Sequence, residues 1–576
     1  MASTRLQIAL SCAVVSGALV ACSGEDTRAP EPESPSSGGS TTVASWAADA
    51  NGPTLFDHVT EEARRRASMA YSPPDHHLVA SAAELDYAAY RDIRFRDERA
   101  VWRGSVPFEV QLFHPGGASD VPVRIHLVED GASRPLPFDA GMFEYGALAR
   151  NADGGSDHPA LPPEVGYGGF KVLNTMNQPT KLDEVAAFLG ASYFRLVGPD
   201  QVYGLSSRGL AVDTAEPDGE EFPDFVAFWL VRPEADADSF TFYGLLDSPS
   251  VSGAYRPAPR PGARDESAAP PAVAPGTSLD VSAGTSLDVS ARLFFRDDVA
   301  KVGIAPLTSM YLHSPMIPGG HDDFRPRVHD SEGLSMLTGK GEWIWRPLSN
   351  GQGVRVTSLR DVDPVGFGLV QRTRDFDGYL DLEAQYHRRP SLWVDIDEAW
   401  GGGGVELLEI PTTSEFNDNV VAYWVPDSDP RAGDEVTVRY RLVTFDSELG
   451  RGDLAGSADD LPLRSVAAVA RTSIGWDALP GAAEPPPRSH RRVVVDFEGE
   501  GLAALDPAAE VSASLSASSG TTTDMRVEVL PGGGRRATFS LQPDGDRGSD
   551  MRLFLVHADT VISETWSYLW EPSLVR

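Results

Sequence analysis

Carboxylates, arginines and aromatic residues are concentrated in one part of this chain, residues 311–424. They occur in four motifs, which are residues 324–331 (FRPRVHDS), 341–347 (GEWIWRP), 371–376 (QRTRDF) and 410–419 (IPTTSEFNDN). Aromatic faces stack on sugar rings, and carboxylates bind hydroxyl groups and transfer protons. This combination favours a carbohydrate site, with hydrolysis of a glycosidic bond as the leading chemistry.

Hydrolysis of a glycosidic bond requires two carboxyl groups that flank the bond, and one of them must stay protonated. Asp330 and Asp418 are the candidates, because each lies in a polar, turn-like motif. Glu415 lies three residues before Asp418, and a like charge at that separation raises the pKa of a carboxyl group. An aspartate in such a motif more often caps a turn, and spacing alone does not show that the two aspartates meet.

Trp343 and Trp345 alternate with Ile344, so both tryptophans point to the same face of a predicted strand. They are candidates for a sugar-binding platform, with Arg346 beside them. A packed core layer that has Arg346 at its polar edge is equally compatible with the pattern.

Arg372 and Arg374 are candidates for hydrogen bonding to sugar hydroxyls. Structural ion pairing with Asp375 or Glu383 explains them equally well. His329, next to the candidate aspartate of its motif, is a further candidate for substrate binding.

Two other chemistries are weaker. His313, His321 and His329 recur at eight-residue intervals, but the sequence contains no HExxH or similar metal-ligand motif. Acyl transfer on a Gly-x-Ser-x-Gly elbow is also disfavoured, because that motif does not occur. We therefore predict neither a metal nor a cofactor.

The composition indicates which elements must position these residues. The chain has 576 residues, of which 41% are hydrophobic, so it is long enough for two or more domains with their own cores. The 55 glycines and 45 prolines indicate many turns and favour an all-β architecture. A net charge of −35 opposes binding to nucleic acid and is compatible with neutral sugars.

The N-terminus has the pattern of an export signal. Arg5 precedes an apolar run at residues 8–21, which is short for a membrane span of roughly 20 residues. The run ends in Leu-Val-Ala-Cys, which resembles a bacterial lipobox with Cys22 as the lipidated residue. We expect a periplasmic protein that contacts the membrane only through this lipid, more specifically the inner leaflet of the outer membrane. Cys12 lies inside the signal, so the mature chain cannot form an internal disulfide.

Composition shifts and periodicity predict five segments. They are a signal peptide (1–21), a flexible lipidated tether (22–52), a large strand-rich domain that carries the candidate carbohydrate site (53–448), a polar linker (449–463) and a small immunoglobulin-like β-sandwich (464–576).

Within this plan most segments alternate as strands do, whereas residues 60–70 and 181–189 are predicted to be short helices. Residues 276–283 are repeated at 284–291 as GTSLDVSA. Because eight is an even number, the repeat preserves the face of a strand to which each side chain points.

Several sequence blocks resemble those of the periplasmic glucan biosynthesis protein G and D family (MdoG-type), which acts on osmoregulated β-1,2-linked glucans. The similarity covers residues 86–445 and continues more weakly to the C-terminus. Besides the four central motifs, its most specific blocks are 90–95 (YRDIRF), 189–195 (LGASYFR), 203–211 (YGLSSRGLA), 219–223 (GEEFP), 245–250 (LLDSPS), 302–310 (VGIAPLTSM) and 563–568 (SETWSY).

The resemblance implies a large β-sandwich of the galactose-mutarotase-like supersandwich type with a long cleft, followed by a small immunoglobulin-like β-sandwich. It also implies an inverting endo-β-1,2-glucanase in which Asp418 is the general acid and Asp330 the general base. Glu415 is retained, and Tyr386 matches a tyrosine that relays protons or positions groups. An inverting mechanism places the two carboxyl groups roughly 6.5–9.5 Å apart, or further if a relay intervenes. The sequence departs from the family at residues 327–328, where an Arg-Val pair replaces an acidic-aliphatic pair.

Two alternatives to hydrolysis stay open. One is a non-catalytic glucan-binding scaffold of a biosynthetic complex, with a glucan synthase as a possible partner. The other is a transglycosylase that joins or cyclises glucans. All three take a β-glucan oligosaccharide or polysaccharide as ligand.

Overall fold

The structure is a computed structural model that describes residues 54–73, 85–117, 121–152, 161–190, 192–262, 284–317, 322–446, 466–478, 481 and 484–574. The predicted signal, tether and linker, the lipidation residue Cys22, His321 and the first copy of the repeat lie outside these residues. The division into domains and the use of the lipobox therefore stay predictions.

The helices are short and few within the described residues. They are α1 (Leu55–Ala67), α2 (Tyr87–Arg91), α3 (Ala147–Ala152) and α4 (Glu500–Ala503). Thr54 begins α1 with a capping box, in which its hydroxyl accepts from the Asp57 N–H while the Asp57 carboxylate accepts from the Thr54 N–H. The predicted helix at residues 60–70 is thus confirmed, with an earlier start.

Strands make up most of the remainder, which confirms the predicted all-β fold. The first half of the chain contributes β1 (Ile93–Phe95), β2 (Glu109–Phe113), β3 (Arg124–Glu129), β4 (Ala132–Pro135), β5 (Phe143–Tyr145), β6 (Gly169–Gln178), β7 (Lys181–Leu189), β8 (Tyr193–Leu196), β9 (Ser206–Arg208), β10 (Ala211–Val212), β11 (Asp224–Val231), β12 (Phe242–Asp247), β13 (Val251–Arg260), β14 (Ser286–Phe295), β15 (Val302–Ser309) and β16 (Tyr311–His313).

The second half contributes β17 (Val328–His329), β18 (Gly333–Leu337), β19 (Trp343–Pro347), β20 (Arg355–Val362), β21 (Gly366–Val370), β22 (Ser391–Asp395), β23 (Gly402–Glu409), β24 (Val420–Pro426), β25 (Glu435–Phe445), β26 (Ala468–Trp476), β27 (Arg491–Glu498), β28 (Ser512–Ala517), β29 (Thr521–Val529), β30 (Arg535–Gln542), β31 (Ser549–His557), β32 (Thr560–Val561) and β33 (Thr565–Trp570).

Two large sheets enclose the main core. Across the described ranges, one sheet has ten strands, in the order β2-β6-β7-β8-β9-β15-β24-β23-β20 with β10 beside β15. The other has fifteen, in the order β28-β31-β33-β19-β18-β21-β22-β25-β14-β13-β12-β11-β3-β4 with β32 beside β31. Buried side chains from both sheets form one continuous apolar cluster, including Phe170, Phe228, Leu307 and Phe367.

The larger sheet continues into the C-terminal part of the chain. Strand β33 pairs in parallel with β19, with Ile344 opposite Thr565 and Trp345 opposite Trp566. A separate four-stranded sheet, β26-β27-β30-β29, covers this end and shares a second apolar cluster with it. The C-terminal part therefore completes its sandwich with a sheet that it shares with the large one.

The predicted helix at residues 181–189 is wrong, because this segment is strand β7. It pairs with β6 on one side and β8 on the other, and it buries Ala186 and Phe188 in the main core. Gly190 has φ +71 and donates its N–H to the Gly168 carbonyl, so it makes a turn between strands. Pairing on both edges overrides the helix propensity of this short alanine-containing segment.

The second copy of the repeat, residues 284–291, leads into strand β14. In β14, Leu287, Val289 and Ala291 are buried and alternate with half-buried residues. Strand β14 pairs with β13 on one side and β25 on the other.

Candidate active site

The segments that carry Asp330 and Asp418 are both attached to the junction between β15 and β16. The Asp330 N–H donates to the Met310 carbonyl at 2.8 Å, and the Asn419 N–H donates to the Ser309 carbonyl at 3.0 Å. Two aspartates that are 88 positions apart are thereby brought to neighbouring residues of one strand junction.

Asn419 fixes the end of the loop that carries Asp418. Its side-chain oxygen accepts from the Tyr311 N–H at 2.8 Å, and its amide donates to the carbonyls of Tyr311 and Ile410. Because all these partners are backbone groups, the loop between β23 and β24 is closed at a defined position.

The surroundings of Asp418 favour its protonated form. The residue keeps some exposure to solvent, but its carboxyl group lies among protein atoms, and this burial raises its pKa. The charge of Asp330 raises the pKa further, which shows that the two carboxyl groups are close enough to interact. Arg195, Arg389 and the Ser206 hydroxyl act in the opposite direction without reversing the shift.

Asp330 lies directly against a cation. Its carboxylate forms an ion pair with the Arg389 guanidinium, which also lies over the Tyr386 ring at 4.3 Å. Only 5% of the Asp330 side chain is exposed, so the group is almost wholly covered by protein. Its covering includes a cation that binds the carboxylate directly.

Tyr386 and Glu415 connect this pair to a larger set of charges. Tyr386 lies in a short 3-10 turn, Tyr386–Arg388, and its hydroxyl donates to Glu415 Oε2 at 2.7 Å. Burial raises the pKa of Tyr386, so its hydroxyl keeps its proton. The same Glu415 oxygen accepts from Arg325 Nη1 at 2.8 Å.

Arg325 joins three loops. Besides Glu415, it binds Asp381 through Nη1 at 2.9 Å and Asp323 through Nη2 at 2.8 Å. Its hydrogen bond lowers the pKa of Asp323 to about 2, so this carboxylate stays charged. We refer to Arg325, Asp323, Asp381, Glu415 and Tyr386 as the Arg325 network.

The chain matches the family model described as "Periplasmic glucan biosynthesis protein, MdoG" over residues 55–570. The chain belongs to the periplasmic glucan biosynthesis protein family.

Curated relatives of this family member are named glucans biosynthesis protein G. The protein from Ralstonia nicotianae is 41% identical over 525 residues, covering 90% of this chain and 96% of the relative. Those from Pseudomonas paraeruginosa and Dickeya dadantii are 40% and 38% identical, and each covers 89% of this chain and 92% of the relative. Among the described residues of the present protein, no helix is both long and apolar enough to span a membrane.

The two tryptophans of β19 do not form an open sugar platform. Trp343 and Trp345 do point to the same face, as predicted, but each is only 4% exposed and packs into the C-terminal apolar cluster. The Trp345 ring lies so close to Gly333 that a Cβ there would approach it to 2.4 Å. The core-layer interpretation of these residues is the one that the structure supports.

Arg346 and Arg372 also form hydrogen bonds and ion pairs within the protein. Arg346 is 2% exposed and donates to the hydroxyls of Ser567 and Thr357. Arg372 lies over the Trp345 ring at 3.7 Å, donates to the Val469 carbonyl and pairs with the fully buried Glu564 at 2.7 Å. We call Trp343, Trp345, Arg346, Arg372 and Glu564 the β19 junction.

Arg374 and His329 have structural contacts too. Arg374 donates to the carbonyls of Arg389 and Asp446 and to the Ser391 hydroxyl. His329 is fully buried, bonds to Gln371 through Nδ1 and stacks on Tyr311; burial lowers its pKa to about 4 and keeps it neutral. His329 has no exposed surface to offer a ligand, whereas Arg374 is half-buried and donates to protein acceptors. Structural contacts therefore account for both residues, as they do for the β19 junction.

Sequence reasoning missed the residues that set the electrostatics of the site. Arg325 and Arg389 each precede a proline in the central stretch, which was the only available signal. Arg195 and Ser206 lie in blocks that resemble the family, but nothing in their type or spacing pointed to Asp418. Within the described ranges no group of three potential ligands could hold a metal ion.

Proposed function

We propose that this protein is an inverting endo-β-1,2-glucanase that cleaves linear β-1,2-glucan in the periplasm. The observation that carries the proposal is the contrast between two interacting aspartates. Burial raises the pKa of Asp418, whereas Asp330 is ion-paired with Arg389. An inverting glycosidase uses one carboxyl group that gives up a proton and one carboxylate that accepts a proton, and these different surroundings suit the two roles.

In the proposed reaction Asp418 donates its proton to the glycosidic oxygen as the bond to the anomeric carbon breaks. A water molecule attacks that carbon from the opposite face, and its proton passes to Asp330. The products are a shorter glucan with an inverted, α-configured reducing end and a glucan with a new hydroxyl. Asp418 ends ionised and Asp330 protonated, and one proton exchange with solvent restores both.

The burial of Asp330 shapes this mechanism. Because its side chain is 5% exposed, the attacking water reaches it through an intervening water or hydroxyl group. Tyr386, whose ring lies under Arg389, is the hydroxyl-bearing residue that we assign to this positioning role. Glu415 holds the Tyr386 hydroxyl in place.

The glucan substrate rests on the family membership, and the β-1,2 linkage and endo mode rest on the resemblance of the central motifs. The net charge of −35 is compatible with a neutral polysaccharide and opposes nucleic acid. A glucan synthase remains the proposed protein partner.

Lipidation of Cys22 is a separate part of the proposal, and it would anchor the protein at the inner leaflet of the outer membrane. Labelling cells with a radioactive fatty acid tests it. Wild-type protein is expected to carry label that Cys22→Ser abolishes, and an unlabelled wild type would contradict the anchor.

One observation favours a second candidate, a non-catalytic glucan-binding scaffold. Asp330 is covered by Arg389, and a base that never reaches a water leaves only binding. The two candidates differ in products, because a scaffold binds glucan and releases none.

The experiment is incubation of the purified protein with linear β-1,2-glucan, followed by separation of the products by size. We expect shorter oligosaccharides from wild type and a loss of at least about 10³-fold in Asp418→Asn, since catalysis by a positioned acid contributes roughly 10²–10⁴-fold. Asp375→Asn is the matched control, because Asp375 is exposed in the same stretch and its side chain makes no capping hydrogen bond to the 3-10 turn that follows it. Binding without products from wild type would overturn the hydrolase, and longer products would indicate transglycosylation.

A further inference from the structure

Three large hydrophobic side chains stand out at the surface. Among the residues that the structure describes, Leu382, Phe324 and Phe416 are the most exposed of their kind, at 79%, 76% and 69%. Large apolar groups at such exposure gain nothing from folding, so a cluster of them marks a binding surface.

All three are sequence neighbours of the Arg325 network. Phe324 precedes Arg325, Leu382 follows Asp381, and Phe416 follows Glu415. Since Arg325 binds both carboxylates within 2.9 Å, the three backbone segments are brought together at these points. Each of the three exposed apolar side chains is therefore next in sequence to a member of one partly buried set of ion pairs.

This set of residues is connected to the two aspartates through the loop of Asp418 and through Tyr386. Phe416 lies on the same loop as Asp418, two residues before it, and Glu415 receives the Tyr386 hydroxyl. A long ligand bound at the aspartates could therefore extend along the Asp418 loop towards Phe416.

The charge around the surface indicates which ligand fits. Asp322, Asp377 and Glu383 lie on the same loops, in addition to the carboxylates of the network. This negative charge opposes an anionic membrane or an acidic protein and does not oppose a neutral one. A pyranose ring is neutral, and its C–H face packs against the negative face of an aromatic ring.

We propose that Phe324 and Phe416 bind glucosyl units of the glucan beyond the cleaved bond, with Leu382 at the edge of this subsite. This inference rests on the proposed function and adds residues that position the glucan along the site. The phenylalanines act on binding, and the aspartates perform the chemistry.

The test compares Phe324→Ala, Phe416→Ala and the double variant with wild type. Tyr87→Ala is the matched control, because Tyr87 is an aromatic residue 49% exposed on α2 and is not part of the Arg325 network. Each phenylalanine variant is expected to raise KM for long β-1,2-glucan about three- to tenfold with kcat little changed, since an aromatic contact is worth roughly 0.5–1.5 kcal/mol. The effect should shrink on the shortest oligosaccharide that is still cleaved.

Glucan affinity is measured in parallel, with each change introduced into Asp418→Asn protein, which is expected to bind glucan without cleaving it. If wild type cleaves and both phenylalanine variants bind glucan as Tyr87→Ala does, the subsite is overturned and the hydrolase stands. If no protein cleaves but the phenylalanine variants bind glucan more weakly, the hydrolase is overturned and the subsite stands. Absence of any glucan binding overturns both.

Two further readouts identify other occupants of the surface. A fall in melting temperature of the phenylalanine variants well beyond that of Tyr87→Ala would show that the rings pack against this chain. A change from dimer to monomer by light scattering, with glucan affinity intact, would show a contact between copies. Either result overturns the subsite.

Discussion

The Arg325 network and the β19 junction contain the same residue types, and the chain gives them opposite surroundings. In both, an arginine binds carboxylates near aromatic rings. At the junction, Arg372 pairs with a fully buried glutamate and is covered by Trp345. In the network, Arg325 holds loops whose neighbouring phenylalanines face solvent.

The difference comes from a distant part of the sequence. Strand β33, more than 200 residues after β19, pairs with it and buries its tryptophans. No comparable strand covers the Arg325 network in the described part of the chain. Residue type and spacing therefore identify side chains that could bind a sugar. Long-range strand pairing decides whether those side chains are exposed to a ligand.

The largest effect is expected from Trp345→Ala at the junction. Loss of a buried tryptophan costs roughly 3–5 kcal/mol, and Arg372 loses the ring that covers it. Phe416→Ala, an aromatic deletion in the exposed region, should cost less than about 0.5 kcal/mol. Urea unfolding of the two variants measures the contrast, and equal losses would show that the two regions do not differ in burial.

An intermediate effect is expected from Tyr386→Phe in the network. This change removes the hydroxyl that donates a hydrogen bond to Glu415. It should lower kcat by about 10- to 100-fold and lower the free energy of unfolding by about 1 kcal/mol. Tyr379→Phe is the control, since Tyr379 is buried in the same cluster and donates only to the Thr373 carbonyl. If the two variants lose the same activity, Tyr386 has no special role in positioning.

The smallest effect concerns the pH dependence of stability. Because burial raises the pKa of Asp418 in the folded state above the ordinary 3.8, protonation of this group favours the fold at low pH. That contribution is lost as pH rises through the raised pKa. The Asp418→Asn variant should therefore gain melting temperature relative to wild type between pH 4 and pH 7, whereas Asp375→Asn should not. A constant difference across this range would mean that the folded protein does not shift the pKa of Asp418.

Local features of the fold were predictable and its long-range pairings were not. Alternation predicted β25, in which more and less exposed residues alternate along the first half of the strand. A short apolar run predicted β11, which is buried along almost its whole length. The same reasoning failed for β7, whose two partner strands decide its conformation.

The site shows the same division. Alternation placed Trp343 and Trp345 on one face, but it could not reveal that β33 would cover that face. Asp330 and Asp418 were candidates from their polar motifs, but their assignment as acid and base came from family resemblance, since no local pattern joins residues 88 positions apart. Arg325 binds carboxylates up to 90 positions away, so its role required the three-dimensional structure.

The most direct test of the central claim, that Asp418 and Asp330 act as acid and base on opposite faces of one bond, is the configuration of the first product. Proton NMR of the anomeric signals during cleavage of linear β-1,2-glucan resolves it before mutarotation. We expect the α-anomer to accumulate first. Initial release of the β-anomer, or no reducing ends at all, would contradict the account.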